Sequence, residues 1–431
     1  MSVTVPLNTG TVNTGTVNTG TVNTRTPNTR TPNTRTPNTR TPNADVVVAG
    51  GGVIGTAIAW RAAAAGLDVI LVDPQAGDGA SLVAAGMLAP VSEALFGEDA
   101  LLRLNLLAVR RFPAFAAELE ELTGQQVGLR REGTLAVAHD AGDHAALLRL
   151  VAFRRSLGLA AEELDGPGCR ALEPFLAPDV RGGALFAGDW SVDNRRYAAA
   201  LRLAAAAAGV RTARGRVAGV LARGGRACGV ELADSDPAPD PGGSPPVISC
   251  ATVVVAAGCW SGGIAGLPEP LTTAVRPVKG QLLRLRLPGG MPPVLSRTVR
   301  ATVRGAEVYL VPRADGEMIV GATSEERGPD RTVTAGAVHD LLHDAMSVLP
   351  VASELSLAET CAGLRPGTPD NGPLAGATGL DGLLAATGHF RNGILLSAVT
   401  ADAVTAWLTG QPAEAEWAPF SPARFTAAVR S

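Results

Sequence analysis

ADVVVAGGGVIGTAIAWRAAAAGLDVILVDP, residues 44–74, decides how the whole chain is read. Asp45 to Ala49 is a short apolar run suited to a strand. A glycine turn follows, then a helix from about Gly55 to Ala65, with Gly66 as its stop, and a second apolar strand from Asp68 to Val72. Strand, turn, helix and strand within thirty-odd residues make a βαβ unit. Gly50, Gly52 and Gly55 have the spacing G-x-G-x-x-G. Those glycines allow a tight turn, close backbone approach to a pyrophosphate and close packing of helix on strand, with the helix N–H groups facing the anion. Asp73 ends the second strand, about twenty residues on, where an acid accepts hydrogen bonds from ribose hydroxyls. A dinucleotide site is expected, and this stretch alone does not separate NAD from FAD.

Two further runs, TVVVAAG (252–258) and GLLAATG (382–388), are apolar throughout and stop at glycine. Such runs suit parallel strands buried on both faces. The segments between them have another texture. EGTLAVAHD (132–140), KGQLLRLRL (279–287) and EVYLVPRADGEMIVGATS (307–324) alternate as antiparallel strands do, and a helix near Val338 to Ser347 would cover them. The expected fold is α/β (α+β overall). A Rossmann-like nucleotide domain built from residues 44–120, 190–268 and 358–425 is interleaved with an antiparallel-sheet substrate domain of 121–189 and 269–357. Asp193 is a candidate N-cap for the helix that Gly209 would end.

Composition narrows the function classes. The 431 residues are 46% hydrophobic and 18% charged with a net charge of -3, so a large core is available and no basic field invites nucleic acid or an anionic membrane surface. A small-molecule partner fits better. Five scattered cysteines with no CxxC pair argue against a disulfide framework or a thiolate zinc site and fit a reducing cytoplasm. No uncharged apolar run reaches the roughly 18 to 20 residues that a membrane-spanning helix needs. His339 and His343 lie one helical turn apart in HDLLH, but a third ligand is missing, so no metal is expected. From Asn8 to Asn43 the chain repeats NTGTV and then NTRTP, with four arginines (Arg25, Arg30, Arg35, Arg40) and no acid. Regular proline and low apolar content predict a disordered tail over 1–43. The Asp- and Pro-rich stretch from Asp234 to Pro246 reads as a solvated loop.

Several motifs in order carry a resemblance: DVVVAGGGVIG (45–55), GASLVAAGMLAP (79–90), TVVVAAGCWSG (252–262), RPVKGQ (276–281), VYLVPR (308–313) with IVGATS (319–324), AGLRPGTPDNGPLAG (362–376) and GHFRNGILLS (388–397). In this sequence and spacing the chain resembles the FAD-dependent amine and amino-acid oxidases of the D-amino-acid oxidase superfamily, and within it the glycine oxidases of thiamine synthesis. The match covers nearly everything after residue 44.

That resemblance implies FAD as the cofactor, held by Val53, Ile54, Asp73, Ser81, Ala85, Gly86 and Met87 beside the motif glycines Gly50, Gly52 and Gly55. Val217 would lie at the adenine end, and Gly258, where the strand 252–258 stops, is counted with them. His389, Phe390, Arg391, Asn392, Gly393, Ile394 and Leu395 would cover the flavin ring. A helix starting after Gly393 would direct N–H groups at the negative charge of reduced flavin. Gly363 stands where sarcosine oxidases carry a flavin-linking cysteine, so non-covalent FAD is expected.

For the substrate, the resemblance assigns its carboxylate to Arg365, as a two-bond fork, with a hydrogen bond from Tyr309 and Arg391 as a further contact. Glu307 and Ser324 depart from the family's pocket pattern and bear on side-chain preference. The implied reaction passes a hydride from the Cα of a neutral amine to FAD, giving an imine that hydrolyses to glyoxylate and ammonia, while oxygen becomes hydrogen peroxide. No dedicated catalytic acid or base is implied. In thiamine synthesis the imine would instead go to the thiazole-forming enzyme. The family further suggests a homotetramer. Alternatives are a related D-amino-acid or sarcosine oxidase or dehydrogenase and, from another class, a non-catalytic flavin-binding protein.

Overall fold

Ala44–Ala49 lies inside an eight-stranded sheet, paired in parallel with Val247–Val255 on one side and Val69–Asp73 on the other. The strand path is Leu374–Ala377, Leu383–Thr387, Val247–Val255, Ala44–Ala49, Val69–Asp73 and Arg211–Arg214. Only the first of these runs antiparallel to its neighbour. An antiparallel hairpin, Arg216–Arg223 and Arg226–Ala233, pairs back onto the start of Val247–Val255. The computed structural model describes residues 43–74, 79–233 and 245–426. The expected tail, apart from Asn43, and most of the Asp234–Pro246 loop lie outside the described residues.

Alternation explains why the sheet is buried on both faces. Val46 and Val48 point into a core shared with the helices Val53–Ala64, Asp99–Thr123, Asn194–Ala207 and Gly393–Leu408. Val47 and Ala49 point to the opposite face, where they meet Val217, Val230 and Leu271. Each fully buried valine contributes about 1.5–3 kcal/mol of transfer free energy, so a one-residue slip of register would be costly. The first helix begins at Val53, two residues earlier than its sequence pattern indicates, because Gly52 is extended and serves as N-cap. Asp193 caps Asn194–Ala207 as expected, accepting the N–H groups of Arg195 and Arg196 at 3.0 Å each.

The second sheet also has eight strands, in the order Ser356–Gly367, Arg276–Arg286, Glu317–Gly321, Ala306–Pro312, Thr298–Val303, Thr134–Ala138, Gly182–Phe186 and Glu162–Asp165. All pairs are antiparallel except Thr298–Val303 with Thr134–Ala138. Ala335–Val348, capped by Thr334, covers one face with Leu341, Ala345 and Val348. A second helix, Ala141–Ser156, which the sequence pattern does not single out, covers the other face through Leu147 and Val151. Ser356–Gly367 pairs along its length with Arg276–Arg286, so a domain boundary at 358 would cut one continuous strand.

Candidate active site

A cavity of about 760 Å³ is lined by residues of both sheets. At one end stands the glycine turn. Gly50 has φ +112°, and a Cβ there would come within 2.5 Å of the Ala256 carbonyl oxygen. At Gly55 a Cβ would lie 1.9 Å from the Gly50 oxygen, so helix and turn can meet only without side chains. Asp73 Oδ2 accepts the Gly51 N–H at 2.6 Å, which holds the turn open beside the strand end. Ser81 Oγ accepts the Val53 N–H at 3.1 Å. The helix has no side-chain cap bond from Gly52 and no acid in its first turn. Apart from the Val53 N–H taken by Ser81, its positive end suits an anion.

Further along, Ala85, Gly86 and Met87 line the cavity. Their backbone is fixed by Arg313, a buried residue of the VYLVPR motif, which donates to the carbonyls of Ala85 at 2.6 Å and Val192 at 2.9 Å. Burial lowers the Arg313 pKa to about 10. Gly86 could carry no side chain, since a Cβ would lie 2.0 Å from the Val192 oxygen.

The turn 388–393 forms another wall. Phe390 adopts φ +45°, rare for a residue with a side chain, and its N–H donates to the Pro366 carbonyl at 3.0 Å. His389 is buried with Nε2 at 3.1 Å from Thr400 Oγ1, and burial pushes its pKa down to about 3, so the imidazole is neutral at ordinary pH. Gly393–Leu408 then starts with no side-chain cap and no acid in its first turn. Two helix N-termini, neither capped by the side chain of its own N-cap residue, therefore serve one cavity.

At the other end, Arg365 of Ser356–Gly367 and Tyr309 of Ala306–Pro312 come together across the two strands between them, Arg276–Arg286 and Glu317–Gly321. The Arg365 guanidinium lies over Gly280, where a Cβ would be 2.3 Å from its Nη1, and it donates to the Thr323 carbonyl at 3.2 Å. Tyr309 lies over Gly321, whose Cβ would come within 2.5 Å of the phenol oxygen. Register makes these pairings: Gly321 faces Tyr309 on one side and Leu282 on the other. Burial raises the Tyr309 pKa, with Arg365 and Arg300 pulling against it.

Arg391 is exposed and stands 5.3 Å from the Phe390 ring centre. Glu93 and Arg300, neither singled out by motif, form an ion pair at 2.7 Å on the same wall. Burial pushes the Glu93 carboxyl up, but Arg300, Arg391 and Arg365 outweigh it and the net shift is downward. Glu307 and Ser324 also line the cavity, with Glu307 Oε2 at 3.6 Å from Arg300.

Of the residues expected to touch cofactor, Gly50, Gly52, Val53, Ile54, Asp73, Ser81, Ala85, Gly86, Met87, Val217 and Gly258 line the cavity, as do His389, Phe390, Arg391, Gly393 and Ile394. Gly55, Asn392 and Leu395 do not. Gly55 packs helix on turn, Asn392 occupies the N-cap position, and Leu395 points into the core behind the helix. His339 and His343 sit on an exposed helix, and no group of three metal-ligating side chains exists among the described residues. No helix among them is long and apolar enough to cross a membrane.

The family described as FAD-dependent oxidoreductase (DAO) matches residues 45–407. A bifunctional ThiO/ThiG protein of Synechocystis sp. is 35% identical over 387 residues, 89% of this chain and 54% of that protein. A glycine oxidase of Geobacillus kaustophilus is 34% identical over 380 residues, 88% of this chain and 96% of the other. The crystal structure of glycine oxidase from that organism superposes with a TM-score of 0.79 at 32% identity, covering 89% of this chain and 99% of that one. The chain thus spans about half the length of the bifunctional relative.

Proposed function

Because the chain belongs to the DAO family of FAD-dependent oxidoreductases, we propose that it is an amino-acid oxidase acting on glycine and similarly small amines such as sarcosine and D-alanine. The observation that carries this reading is the pairing of Arg365 with Tyr309 beside the turn 388–393. A planar guanidinium and a phenol together grip a carboxylate and fix the attached Cα.

The cavity fits FAD physically. Its glycine cradle excludes side chains, and two helix N-termini with no acid in their first turns suit a pyrophosphate at one point and an electron-rich ring at the other. We assign the pyrophosphate to the first turn after Gly52, a ribose hydroxyl to Asp73, the adenine to the neighbourhood of Val217, and the ring to the turn His389–Ile394. When bound, FAD supplies the two-electron oxidation of amine to imine and the transfer of those electrons to oxygen.

The chain's own residues do the rest. Arg365 and Tyr309 orient the carboxylate, and the positive charge of the arginines on the wall favours the neutral form of the amine. No side chain is assigned as a dedicated acid or base. At Gly363 a side chain would meet Val83 at 2.9 Å and offers no attachment point, which supports non-covalent FAD. Hand-over of the imine to a thiazole-forming enzyme, action in the cytoplasm and assembly into a homo-oligomer belong to the same proposal. The relative named as bifunctional supports the first of these.

The test is a substrate panel. Purified protein should be yellow and release hydrogen peroxide with glycine, sarcosine and D-alanine. Colourless protein that takes up no FAD, or a flavin that no amine reduces, would overturn the reading. Glu307 and Ser324 on the wall favour a shifted preference among the three, which their kcat/KM values would rank.

A further inference from the structure

We propose that the substrate end of the cavity has a second anion-binding pole, formed by Arg154 with Arg300, and that this protein oxidises amino acids bearing a second carboxylate. The inference rests on the amino-acid oxidase reading and specifies its substrate class.

Asp140 caps Ala141–Ser156 by accepting the Asp143 N–H at 2.8 Å. Leu147, Leu150 and Arg154 of this helix line the cavity. Leu147 and Arg154 are two turns apart, so they share a face. Arg154 is only 4% exposed. Its guanidinium carbon stands 4.9 Å from the Phe186 ring centre, and Nη2 donates to the Ser92 carbonyl. Its Nε has no hydrogen-bond partner, and it forms no ion pair among the described residues. Asp189, which acts on it from a distance, already accepts the backbone N–H groups of Val91 and Ser92.

A buried cation without a carboxylate partner is costly to keep, which is why burial, reinforced by Arg300, lowers the Arg154 pKa to about 10. Pairing with a ligand anion would remove that cost. The carboxylates nearby are already engaged. Glu93 pairs with Arg300 at 2.7 Å, Glu307 stands 3.6 Å from Arg300, and Asp189 is taken by backbone N–H groups, so none of them pairs directly with Arg154. The carboxylate of an α-amino acid would be held at Arg365. A second carboxylate, on the nitrogen substituent or the side chain, would give Arg154 the partner it lacks.

The order of the groups suits such a ligand. Glu93 feels Arg300, Arg391 and Arg365, whereas Arg154 feels Arg300, Asp189, Glu307 and Glu93. Arg300, which acts on both, links the Arg365 end of the wall to Arg154. Ala136, the cross-strand partner of Arg300, lines the cavity beside it with only a methyl group. Glycine would occupy one pole only.

The test uses the FAD-loaded full chain. Initial rates are compared for iminodiacetate against N-ethylglycine, and for D-glutamate against D-norvaline, with glycine as reference. At least one diacid should exceed its uncharged counterpart tenfold or more in kcat/KM. In Arg154→Met that preference should collapse, and Arg154→Lys should restore part of it. Succinate should also displace the flavin absorbance at lower concentration than butyrate. This binding readout decides the point even if no amine is oxidised, an outcome that would sink the oxidase reading instead. The wild-type comparison needs no variant, so a misfolded Arg154→Met leaves it intact. Diacids no better than their uncharged counterparts, with succinate no tighter than butyrate, overturn the proposal. So does an Arg154→Met variant that lowers glycine and diacid rates in the same proportion.

Discussion

Arg365 gains its reach from what its neighbour lacks. With no Cβ at Gly280, the guanidinium lies flat on the strand Arg276–Arg286 with the Thr323 carbonyl and the Tyr309 hydroxyl as partners, leaving its remaining donors for a ligand. A hydrogen bond to a charged group is worth about 1.5–3 kcal/mol, so Arg365→Ala should raise KM for glycine by roughly ten- to a hundredfold. The flavin spectrum should not change, because the glycine turn and the 388–393 turn are untouched. Steady-state kinetics with an absorbance spectrum of each preparation check this, and unchanged KM removes the carboxylate role from Arg365. Arg365→Lys should recover little, since an ammonium is a point charge and not a planar fork. The motifs GLRPGT and VYLVPR made Arg365 and Tyr309 legible, but Glu93, Arg154 and Arg300 belong to no motif. Arg300 meets Glu93 across 207 residues, and Arg154 meets Ser92 across 62, separations that carry no local signal.

The helix Val53–Ala64 and the turn before it are the most locally determined element of the chain. Gly55 and Gly66 separate two uses of glycine. At Gly55 a Cβ would strike the Gly50 carbonyl at 1.9 Å, whereas Gly66, with φ +90°, has nothing within 4 Å of its Cβ position. Gly55→Ala should therefore displace helix from turn at about 1–3 kcal/mol or more and lose bound FAD. Gly66→Ala should cost about 1–2 kcal/mol through its left-handed backbone alone and keep the cofactor. Denaturant unfolding and the flavin-to-protein absorbance ratio distinguish them. Equal FAD content in both variants would refute a role for Gly55 in shaping the site. Helix Ala141–Ser156 was not legible in this way. Its apolar face is set by Phe186 and Ala184 of a strand some forty residues on, not by a strong periodic pattern of its own.

Across the whole molecule, the cavity joins two sheets with separate cores, one packed around Val46 and Trp60, the other around Leu135 and Leu310. A cofactor bound there stabilises the folded form that binds it, by about 2.7 kcal/mol at a hundredfold excess over Kd. Removing FAD should lower Tm, and titrating it back should restore Tm in proportion to the logarithm of its concentration. A thermal melt indifferent to FAD would mean that the cofactor does not engage the native cavity. By itself the sequence determined the βαβ unit, the glycine spacing, the acid at Asp73 and the alternation of the second sheet, which follow from short-range periodicity and from motifs whose residues are neighbours in the chain. Arg365 and Tyr309 were singled out only through the resemblance that the motifs GLRPGT and VYLVPR carry. The tertiary structure alone decided that Gly280 and Gly321 underlie Arg365 and Tyr309, that Gly55 and Leu395 face packing and not the cavity, and that Arg154 and Arg300 share its wall with Glu93. Strand register and helix docking bring those groups together from distant segments, and no spacing along the chain encodes such a meeting.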